Sequence, residues 1–237
     1  MKILLIRHGD PNYKDNALTP LGHLQAEALA DRLQRRGTRF SAIYASEYGR
    51  AIETAEHVAV RLGMDLQRLG FIHEISYGPH GSSGEEKIRH SPWKAPKMLI
   101  ENDVATAKFD PSDWWAYKGT RLEEADARVC NGFDRWLSEN CGFVREGTRY
   151  ICERENKDEI LMFCHGGTIS CLIGHFMNIG VIGACATFRL FPTSITTVEF
   201  RSDPGAPVLP LLRGVGDFAH CENIVYKDPE EGSFAAE

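Results

Sequence analysis

The sequence predicts an α/β protein with a largely parallel central sheet, and two observations carry this prediction. Short apolar runs, each about the length of a buried strand, alternate with stretches in which apolar residues recur at helical spacing. The chain has 237 residues, of which 43% are hydrophobic and 25% charged, so it can bury a substantial core. We expect one domain over residues 1–226 and a disordered acidic tail over residues 227–237.

The first predicted elements follow one another closely. Residues Ile3–Ile6 form an apolar run that predicts a buried strand. A threonine before Pro20 predicts the start of a helix, which ends near Gly37. Ser41–Ala45 is the second predicted strand, and Gly63 closes the helix that follows it. This order of short strands and helices indicates a sheet whose strands run parallel.

A third strand is predicted near Leu69–Ile72, and the stretch Tyr77–Gly119 then interrupts the alternation. This stretch is rich in glycine, proline and tryptophan and has no clean period. We therefore interpret it as a partly helical insertion folded over the sheet. Its tryptophans, Trp93, Trp114 and Trp115, either provide a dry wall for a pocket or belong to the core.

The remaining part of the chain returns to alternating strands and helices. The segment that ends at Lys157 has no clear period, and a helix is one interpretation of it. Trp136, in the helix before that segment, is expected to anchor the core. In order, we predict a helix over Leu122–Glu139, a buried strand at Glu159–Cys164, a helix from about Gly167, a strand at Ile195–Phe200 and an edge strand at Val208–Arg213 in which Pro210 is tolerable.

Charge and cysteine usage argue against several classes of protein. The net charge of -6 and the isoelectric point near 5.9 do not suit a nucleic-acid or anionic-membrane surface, which needs a basic excess. No apolar run approaches the length of a membrane-spanning helix, and Met1 leads directly into a strand without a signal peptide, so we expect a cytoplasmic protein. The seven cysteines form no CxxC pair, which argues against disulfide and metal frameworks.

Polar residues follow four of the predicted strands. The first strand runs into Arg7 and His8, and the helix after the second strand carries Arg50 in its first turn. The third strand ends near Glu74, and the buried strand of the second half ends at His165. The carboxyl ends of parallel strands meet at one edge of a sheet, which is the usual ligand site of such folds. We therefore expect two histidines, two arginines and a carboxylate in one pocket.

These residue types suit the transfer of a phosphoryl group. Arginine binds phosphoryl oxygens through forked, charge-assisted hydrogen bonds and stays ionised. A neutral histidine can attack phosphorus and form a phosphohistidine, which divides one difficult hydrolysis into two easier steps. Backbone amides at a helix start, such as the one predicted after His165, favour an anion. A carboxyl group can protonate the leaving oxygen and later take a proton from the attacking water.

Several short motifs follow one another along the chain. They are Arg7-His8-Gly9, Leu18-Thr19-Pro20-Leu21-Gly22 with Gln25-Ala26, Ser46 with Arg50-Ala51 and Thr54-Ala55, Glu74 with Gly78, and His165-Gly166-Gly167. Together, and in this order, they resemble the histidine phosphatase superfamily, also called the phosphoglycerate mutase-like group. The resemblance covers the chain from its first strand to about residue 200.

The resemblance implies a fold, a chemistry and a role for each site residue. The fold would be a three-layer α/β/α sandwich with the insertion over the active site, and the chemistry would need no metal and no cofactor. His8 would be the nucleophile that accepts the phosphoryl group. Arg7, Arg50 and His165 would hold that group, with His165 also acting in catalysis, and Glu74 would be the general acid and base.

Some positions depart from the family pattern and leave alternatives open. Glu85 and Glu86, in the insertion, are alternative proton donors to Glu74. Many members of the family have an asparagine shortly after the Arg-His-Gly motif. Here Asn12 or Lys14 is the candidate for the phosphate contact that such an asparagine would supply.

The predicted function is hydrolysis of a small phosphorylated metabolite through a phosphohistidine on His8. Gly167 stands where mutases of the family usually carry asparagine, which favours a phosphatase. Phosphoglycerate mutase-type transfer and a non-catalytic phosphate- or protein-binding module on the same fold are the alternatives. The oligomeric state stays open, with a homodimer as one option. Activity is expected to peak on the mildly acidic side of neutrality, since His8 must be neutral and the acid protonated.

Overall fold

A computed structural model describes residues 1–94 and 117–224 of the chain. Within these ranges the strands are β1 (Lys2–Arg7), β2 (Pro11–Asn12), β3 (Ala17–Leu18), β4 (Ala42–Ala45), β5 (Leu66–Arg68), β6 (Phe143–Glu146), β7 (Arg149–Cys152), β8 (Glu159–Cys164), β9 (Ile195–Glu199), β10 (Pro207–Val208) and β11 (Leu211–Asp217). The α-helices are α1 (Pro20–Arg35), α2 (Gly49–Leu62), α3 (Gly84–Arg89), α4 (Arg121–Cys141), α5 (Gly166–Met177) and α6 (Gly180–Thr187).

The central sheet has six strands in the order β11-β9-β1-β8-β4-β5. Strands β1, β8, β4 and β5 run parallel to one another. On the other side of β1, β9 pairs antiparallel with β1, and β11 pairs antiparallel with β9. The predicted α/β fold with a mainly parallel sheet is therefore confirmed. Because Arg7 pairs with Cys164 at the ends of β1 and β8, the residues that follow these strands lie side by side.

The two faces of β1 pack against different helices, which gives the three layers that the resemblance implied. Ile3 and Leu5 belong to a buried cluster with α4, α5 and α6, and Trp136 lies in that cluster as predicted. Leu4 and Ile6 belong to a second cluster with α1 and α2. Full burial of one such side chain contributes roughly 1.5–3 kcal/mol to folding. Because successive side chains of β1 point to opposite faces of the sheet, this one strand packs against both helical layers.

Close backbone contacts fix the loop that follows β1. Thr19 caps α1 by accepting from the Gly22 N–H (3.0 Å), and Pro20 occupies the first turn, as predicted. A Cβ on Gly9 would lie 2.7 Å from the Gly22 carbonyl oxygen, and a Cβ on Gly22 would lie 2.3 Å from that of Asp10. Both positions require glycine because the loop rests directly on the first turn of α1.

The prediction of a third strand at Leu69–Ile72 is wrong in its position. The strand is β5, which pairs with β4, and Gly70–Ile72 forms a 3₁₀ turn. Strand β5 lies at the edge of the sheet, and two of its three residues are polar and exposed. A search for apolar runs therefore misses this strand. The apolar Phe71 packs against α4 instead, where a Cβ on Gly132 would lie 2.5 Å from the Phe71 Cβ.

The segment up to Lys157 contains a β-hairpin, and the helical interpretation of it is wrong. Strands β6 and β7 pair antiparallel around Gly147, whose φ is +62°, and β10 joins β7 in a separate three-stranded sheet. Each hairpin strand has four residues, which is too short for a clear period. The predicted edge strand at Val208–Arg213 divides into β10 and β11 because Pro210 between them has no N–H to donate.

The structure describes the insertion at its two ends. Helix α3 and a 3₁₀ turn follow Tyr77, whose ring meets that of Trp93 edge to face at a centroid distance of 5.8 Å. The predictions for Trp114 and Trp115 lie outside the described residues, and so does the predicted tail over residues 227–237. The one-domain interpretation stays a prediction.

Two further features of the described residues concern membrane-spanning helices and disulfides. In residues 1–94 and 117–224, no single helix is long and apolar enough to span a membrane. Helices α5 and α6 reach the required length and composition only as a pair, with a bend of 113° between them. All seven cysteines fall within the described ranges, and each is buried and outside any disulfide.

Candidate active site

His8 lies directly beyond β1, and its backbone is held from both neighbouring strands. Its N–H donates to the Cys164 carbonyl (3.0 Å), and its carbonyl accepts from the Thr193 N–H (3.2 Å). The ring Nδ1 lies 2.7 Å from the Gly9 carbonyl oxygen, which can only accept, so Nδ1 carries the proton and Nε2 presents its lone pair. Burial and the Arg7 charge hold the pKa of His8 well below its usual range. His8 is thus in the form that nucleophilic attack requires.

Arg50, in the first turn of α2, meets the free nitrogen of His8. Its Nε–H donates to His8 Nε2 (3.1 Å), and its Nη1 donates to Asn16 Oδ1 (2.8 Å). The guanidinium carbon lies 4.9 Å from the Tyr48 ring centroid and 5.4 Å from that of Tyr13. These contacts hold the guanidinium beside His8, where it can bind an anion.

Arg7 and His165 each keep one buried polar atom that has no partner among the described residues. Arg7 Nη1 donates to the Leu190 carbonyl (2.5 Å), but its Nε meets no acceptor. His165 Nε2 lies 2.8 Å from Ser46 Oγ, whereas its Nδ1 has no partner. Ser46 Oγ also accepts from the Tyr48 N–H. In the tautomer in which the Ser46 hydroxyl donates to His165 Nε2, the His165 proton sits on Nδ1, the atom without a partner. An anion between these two buried donors would satisfy both.

His165 also lies close to His8, with the ring centroids 5.1 Å apart in an edge-to-face arrangement. It is the N-cap residue of α5, so the unpaired amides of that helix start beside it and favour negative charge. Burial and the neighbouring His8 lower the pKa of His165, which keeps the ring neutral. A neutral His165 can donate from Nδ1 without adding a full charge to the pocket.

Glu74 joins this group from the loop after β5. One potential ligand atom from each of His8, Glu74 and His165 lies within 4.8 Å of the other two. Glu74 Oε1 accepts from the Ile75 N–H (2.9 Å), and a Cβ on Gly167 would lie 2.6 Å from that oxygen. Burial raises the pKa of the Glu74 carboxyl, and this outweighs the hydrogen bond and the arginine charges that lower it. A carboxyl that keeps its proton above the usual range suits a general acid.

The spacing of these three side chains would also admit a metal ion, but the charge of the pocket suits an anion. The guanidinium groups of Arg7 and Arg50 carry positive charge into the pocket, and both act on the pKa of Glu74. These groups therefore fit phosphate better than a cation, and the absence of a metal requirement stays a prediction.

Two further residues of the family motifs hold the loop that carries His8. The Gly9 N–H donates to Thr54 Oγ1 (3.0 Å), and the Asp10 N–H donates to Gln25 Oε1 (2.8 Å). Thr54 belongs to α2 and Gln25 to α1, so both helices fix the loop. The sequence pattern around Arg50 thus includes a residue that supports the His8 loop, Thr54, as well as Arg50 itself, which contacts His8.

The structure separates the candidates that the sequence left open. Glu85 and Glu86 are exposed on α3, and neither belongs to the group that contains Glu74. Asn12 Oδ1 accepts from the Lys14 N–H (3.1 Å), so this asparagine stabilises its own turn, and Lys14 is exposed. The geometry therefore favours Glu74 as the carboxyl of the pocket.

Sequence reasoning missed two residues near the pocket, Asn16 and Ser194. The φ of Asn16, +54°, is a conformation that asparagine tolerates, and its side chain holds Arg50. A Cβ on Gly49 would lie 2.3 Å from the Asn16 carbonyl oxygen, so the turn packs directly on α2. Ser194 was also missed: its carbonyl accepts from the Arg7 N–H (3.1 Å), and its Oγ is buried without a partner in the described ranges. The only signal for Asn16 was an asparagine in the turn after the Arg-His-Gly motif.

Fold and pocket together define a class of protein. It is an α/β protein with a neutral, buried histidine inside a cationic pocket, at the carboxyl edge of a mainly parallel sheet. The chain belongs to the histidine phosphatase superfamily (branch 1), whose family model matches residues 3–209. The resemblance carried by the short motifs is therefore confirmed.

Curated proteins of similar sequence include 2,3-bisphosphoglycerate-dependent phosphoglycerate mutases. The one from Bartonella tribocorum is 28% identical over an alignment of 99 residues that covers 37% of this chain and 48% of that protein. The one from Brucella anthropi is 32% identical over 99 residues, with the same coverage of 37% and 48%. The chain spans about half the length of the curated relatives it matches.

Solved structures match over most of the chain at low sequence identity. Mycobacterial hydrolase 1 has a TM-score of 0.63 at 20% identity and covers 91% of this chain and 98% of its own. A phosphoserine phosphatase variant from Entamoeba histolytica, in complex with phosphoserine, has a TM-score of 0.59 at 20% identity, with coverage of 92% and 98%. Mycobacterial glucosyl-3-phosphoglycerate phosphatase with inorganic phosphate has a TM-score of 0.63 at 19% identity, with coverage of 92% and 98%. At these identities the likeness shows a shared fold.

Proposed function

We propose that this chain is a phosphomonoesterase that hydrolyses a small phosphorylated metabolite through a phosphohistidine on His8. One observation carries the proposal. His8 Nε2, with its lone pair free of a proton, lies 3.1 Å from Arg50 Nε, and His8, Glu74 and His165 place ligand atoms within 4.8 Å of one another. A nucleophile, an anion holder and a proton donor therefore surround one point.

In the first step the phosphoryl group passes to His8. The guanidinium groups of Arg7 and Arg50 and the Nδ1–H of His165 hold its oxygens and stabilise their charge. His8 Nε2 forms a bond to phosphorus while the bond from phosphorus to the leaving oxygen breaks. The protonated Glu74 carboxyl gives its proton to that oxygen, so the product leaves as a neutral alcohol.

In the second step water releases the phosphate. The Glu74 carboxylate takes a proton from the water, whose oxygen forms a bond to phosphorus as the bond from phosphorus to His8 Nε2 breaks. Glu74 is then protonated again and His8 is neutral, so both residues return to their starting forms. Inorganic phosphate leaves the two arginines and His165.

The comparisons support a small phosphorylated metabolite as the substrate. Solved proteins of this fold include phosphatases named for phosphoserine and for glucosyl-3-phosphoglycerate. Both names describe phosphorylated small molecules. A screen of phosphorylated metabolites that measures released phosphate would identify the leaving alcohol.

The direct test of this function is the His8→Ala variant with p-nitrophenyl phosphate. We expect the loss of the nucleophile to lower kcat by at least about a thousandfold. His57→Ala is the control, because His57 hydrogen bonds to His23 on α1 and lies outside the pocket. Wild-type protein quenched during turnover should carry an acid-labile phosphate on His8, detected by mass spectrometry. Unchanged turnover in His8→Ala would end the proposal.

A phosphoglycerate mutase is the second candidate, because the curated relatives carry that name. The test is incubation with 3-phosphoglycerate and a 2,3-bisphosphoglycerate primer. Isomerisation without net release of phosphate would replace hydrolysis as the reaction. A chain that binds phosphate but turns over no phosphomonoester and forms no phosphohistidine would be a binding module.

A further inference from the structure

Thr193 has a backbone conformation that is rare for its residue type. Its φ is +58°, and the other non-glycine residues with positive φ in the described ranges are Asn16 and Asn178. Asparagine tolerates the left-handed region, whereas a β-branched residue is strained there. Thr193 is also fully buried. Such strain persists only where the surroundings enforce it, and it is concentrated at functional sites.

The hydroxyl of Thr193 is the centre of a hydrogen-bond network. It lies 2.7 Å from the Pro192 carbonyl oxygen, 2.9 Å from His220 Nε2 and 3.4 Å from Cys221 Sγ. Because the carbonyl can only accept, the hydroxyl donates its proton to Pro192. His220 Nε2 must then donate to the hydroxyl, so this nitrogen carries the ring proton.

Arg32 selects the same tautomer of His220. Arg32 Nη1 lies 3.3 Å from His220 Nδ1, which must accept because a guanidinium can only donate. Both oxygens of Asp217 hold that guanidinium, at 3.0 Å and 2.5 Å. Burial and the Arg32 charge lower the pKa of His220 to about 4, so the ring is neutral at pH 7. Both contacts of the His220 ring therefore require the neutral form with its proton on Nε2.

The strained residue is bonded to the nucleophile through its backbone. The Thr193 N–H donates to the His8 carbonyl (3.2 Å), and the Arg7 N–H donates to the Ser194 carbonyl (3.1 Å). These bonds continue the antiparallel pairing of β1 and β9 past the last residue of β1 and ahead of the first residue of β9, up to the pocket. Without Thr193 in this conformation, one side of the His8 backbone would be unsupported.

We propose that His220 is a positioning residue for His8. By donating to Thr193 Oγ1, it holds Thr193 in the left-handed conformation that keeps the Thr193 N–H on the His8 carbonyl. Asp217 and Arg32 orient His220 in turn, so a segment just after β11 supports a nucleophile at the end of β1. This inference rests on the proposed function, since it assigns a support to the nucleophile of that reaction.

Paired substitutions at His220 separate the hydrogen bond from the filling of space. In His220→Gln the amide nitrogen can take the place of Nε2 and donate to Thr193, whereas the amide in His220→Asn reaches only the place of Nδ1. With p-nitrophenyl phosphate we expect kcat to fall about tenfold or more in His220→Asn and His220→Ala, with KM changed by less than about twofold. We expect His220→Gln to stay within about threefold of wild type.

Substitutions at Thr193 test the other end of the bond. Thr193→Ser keeps the hydroxyl and should retain activity, whereas Thr193→Val removes it and should lose as much kcat as His220→Asn. The double variant Thr193→Val/His220→Asn should be no slower than either single variant, because both remove one interaction. Thr187→Val is the matched control, since the Thr187 hydroxyl bonds the Gly183 carbonyl in α6, away from His8.

The kcat of each variant, measured per folded molecule, decides whether His220 positions His8. Wild-type kcat in His220→Asn, or equal losses in His220→Gln and His220→Asn, would overturn the positioning role. If His220→Ala does not fold, the glutamine and asparagine variants still make this comparison. A second readout is the ¹⁵N spectrum of the His8 ring, which should shift in His220→Asn and not in Thr187→Val.

The inference and the proposed function fail in different ways. Full turnover in His8→Ala would remove the function and the positioning role together. An inactive His8→Ala variant beside a fully active His220→Asn variant would remove the positioning role alone.

Discussion

Two side chains with oppositely shifted pKa values determine the chemistry of the pocket. Burial lowers the pKa of His8 below its usual 6.5 and raises the pKa of Glu74 above its usual 4.5. In water an imidazole and a carboxyl group would form an ion pair between these two pH values. Inside the pocket both shifts oppose that ion pair and favour the neutral forms, an unprotonated His8 imidazole and a protonated Glu74 carboxyl, which the proposed reaction uses.

We therefore expect kcat/KM to have a bell-shaped dependence on pH. The rate should rise as pH increases through the lowered pKa of His8, because the imidazole loses its proton. It should fall as pH passes the raised pKa of Glu74, because the carboxyl loses the proton that the leaving group needs. Glu74→Gln should be about 10²–10⁴-fold slower with an alkyl phosphate and should lose the alkaline limb. A wild-type profile in this variant would shift the acid role to Glu85 or Glu86.

The two glycines at the start of α5 differ in how much space they have, and this allows a matched test. A Cβ on Gly167 would lie 2.3 Å from Ile75 Cγ1 and 2.6 Å from Glu74 Oε1, whereas a Cβ on Gly166 would lie 3.5 Å from its nearest neighbour, Arg7 Nε. Gly167→Ala should therefore displace the carboxyl and lower kcat by about tenfold or more. Gly166→Ala should have a much smaller effect. Equal kcat in the two variants would show that the carboxyl can move without cost.

At the level of elements, the β2–β3 hairpin carries Asn16 to the pocket. Removing the Asn16 side chain frees the Arg50 guanidinium, and a hydrogen bond to a charged group contributes about 1.5–3 kcal/mol. Asn16→Ala should therefore weaken inhibition by inorganic phosphate by about tenfold or more. Asn178→Ala is the control, because Asn178 has the same left-handed backbone at the end of α5, away from His8. Similar inhibition constants for both variants would contradict a role for Asn16 in holding Arg50.

The elements also show which parts of the fold a sequence can predict. The bounds predicted for α1 are close to those observed because its apolar spacing and its Thr19 cap act within the helix itself. Strand β5 was misplaced and the β6–β7 hairpin was not predicted because these strands have only three or four residues, too few to show a clear period. Local pattern therefore predicts long elements better than it predicts edge strands.

In the pocket, too, some residues could be predicted from the sequence and others could not. Arg7, His8 and His165 follow parallel strands, so topology alone predicts that they converge. Asn16 and Thr193 reach the pocket through left-handed residues and cross-strand register, and no local pattern encodes either of these. Contacts of this kind require the folded backbone.

At the scale of the whole molecule, a net charge of -6 coexists with a cationic pocket. The positive charge that binds an anion must therefore be local, and Arg7 and Arg50 supply it. Both are brought close to two buried histidines, where an added proton would be repelled by the arginines and poorly solvated. The two histidines of the pocket thus resist protonation in the folded chain, and this property should appear in global stability.

We expect the free energy of unfolding to decrease as pH falls below about 6.5, the ordinary histidine pKa. In the unfolded chain His8 and His165 bind protons near that pH, whereas in the folded chain burial lowers both pKa values. The stability present above pH 6.5 is therefore lost on acidification, at up to about 1.4 kcal/mol per pH unit for each histidine. The raised pKa of Glu74 opposes this trend closer to pH 4.5.

Urea unfolding between pH 7.5 and 5.5 at constant ionic strength measures this slope. The double variant His8→Asn/His165→Asn should have a shallower slope than wild type because it removes both buried imidazoles. If the double variant kept the full slope, other groups would cause the acid sensitivity, and His8 would accept a proton in the folded chain at little cost. A nucleophile so easily protonated would lose activity on the mildly acidic side of neutrality, so this measurement of stability also tests the pH dependence expected of the proposed reaction.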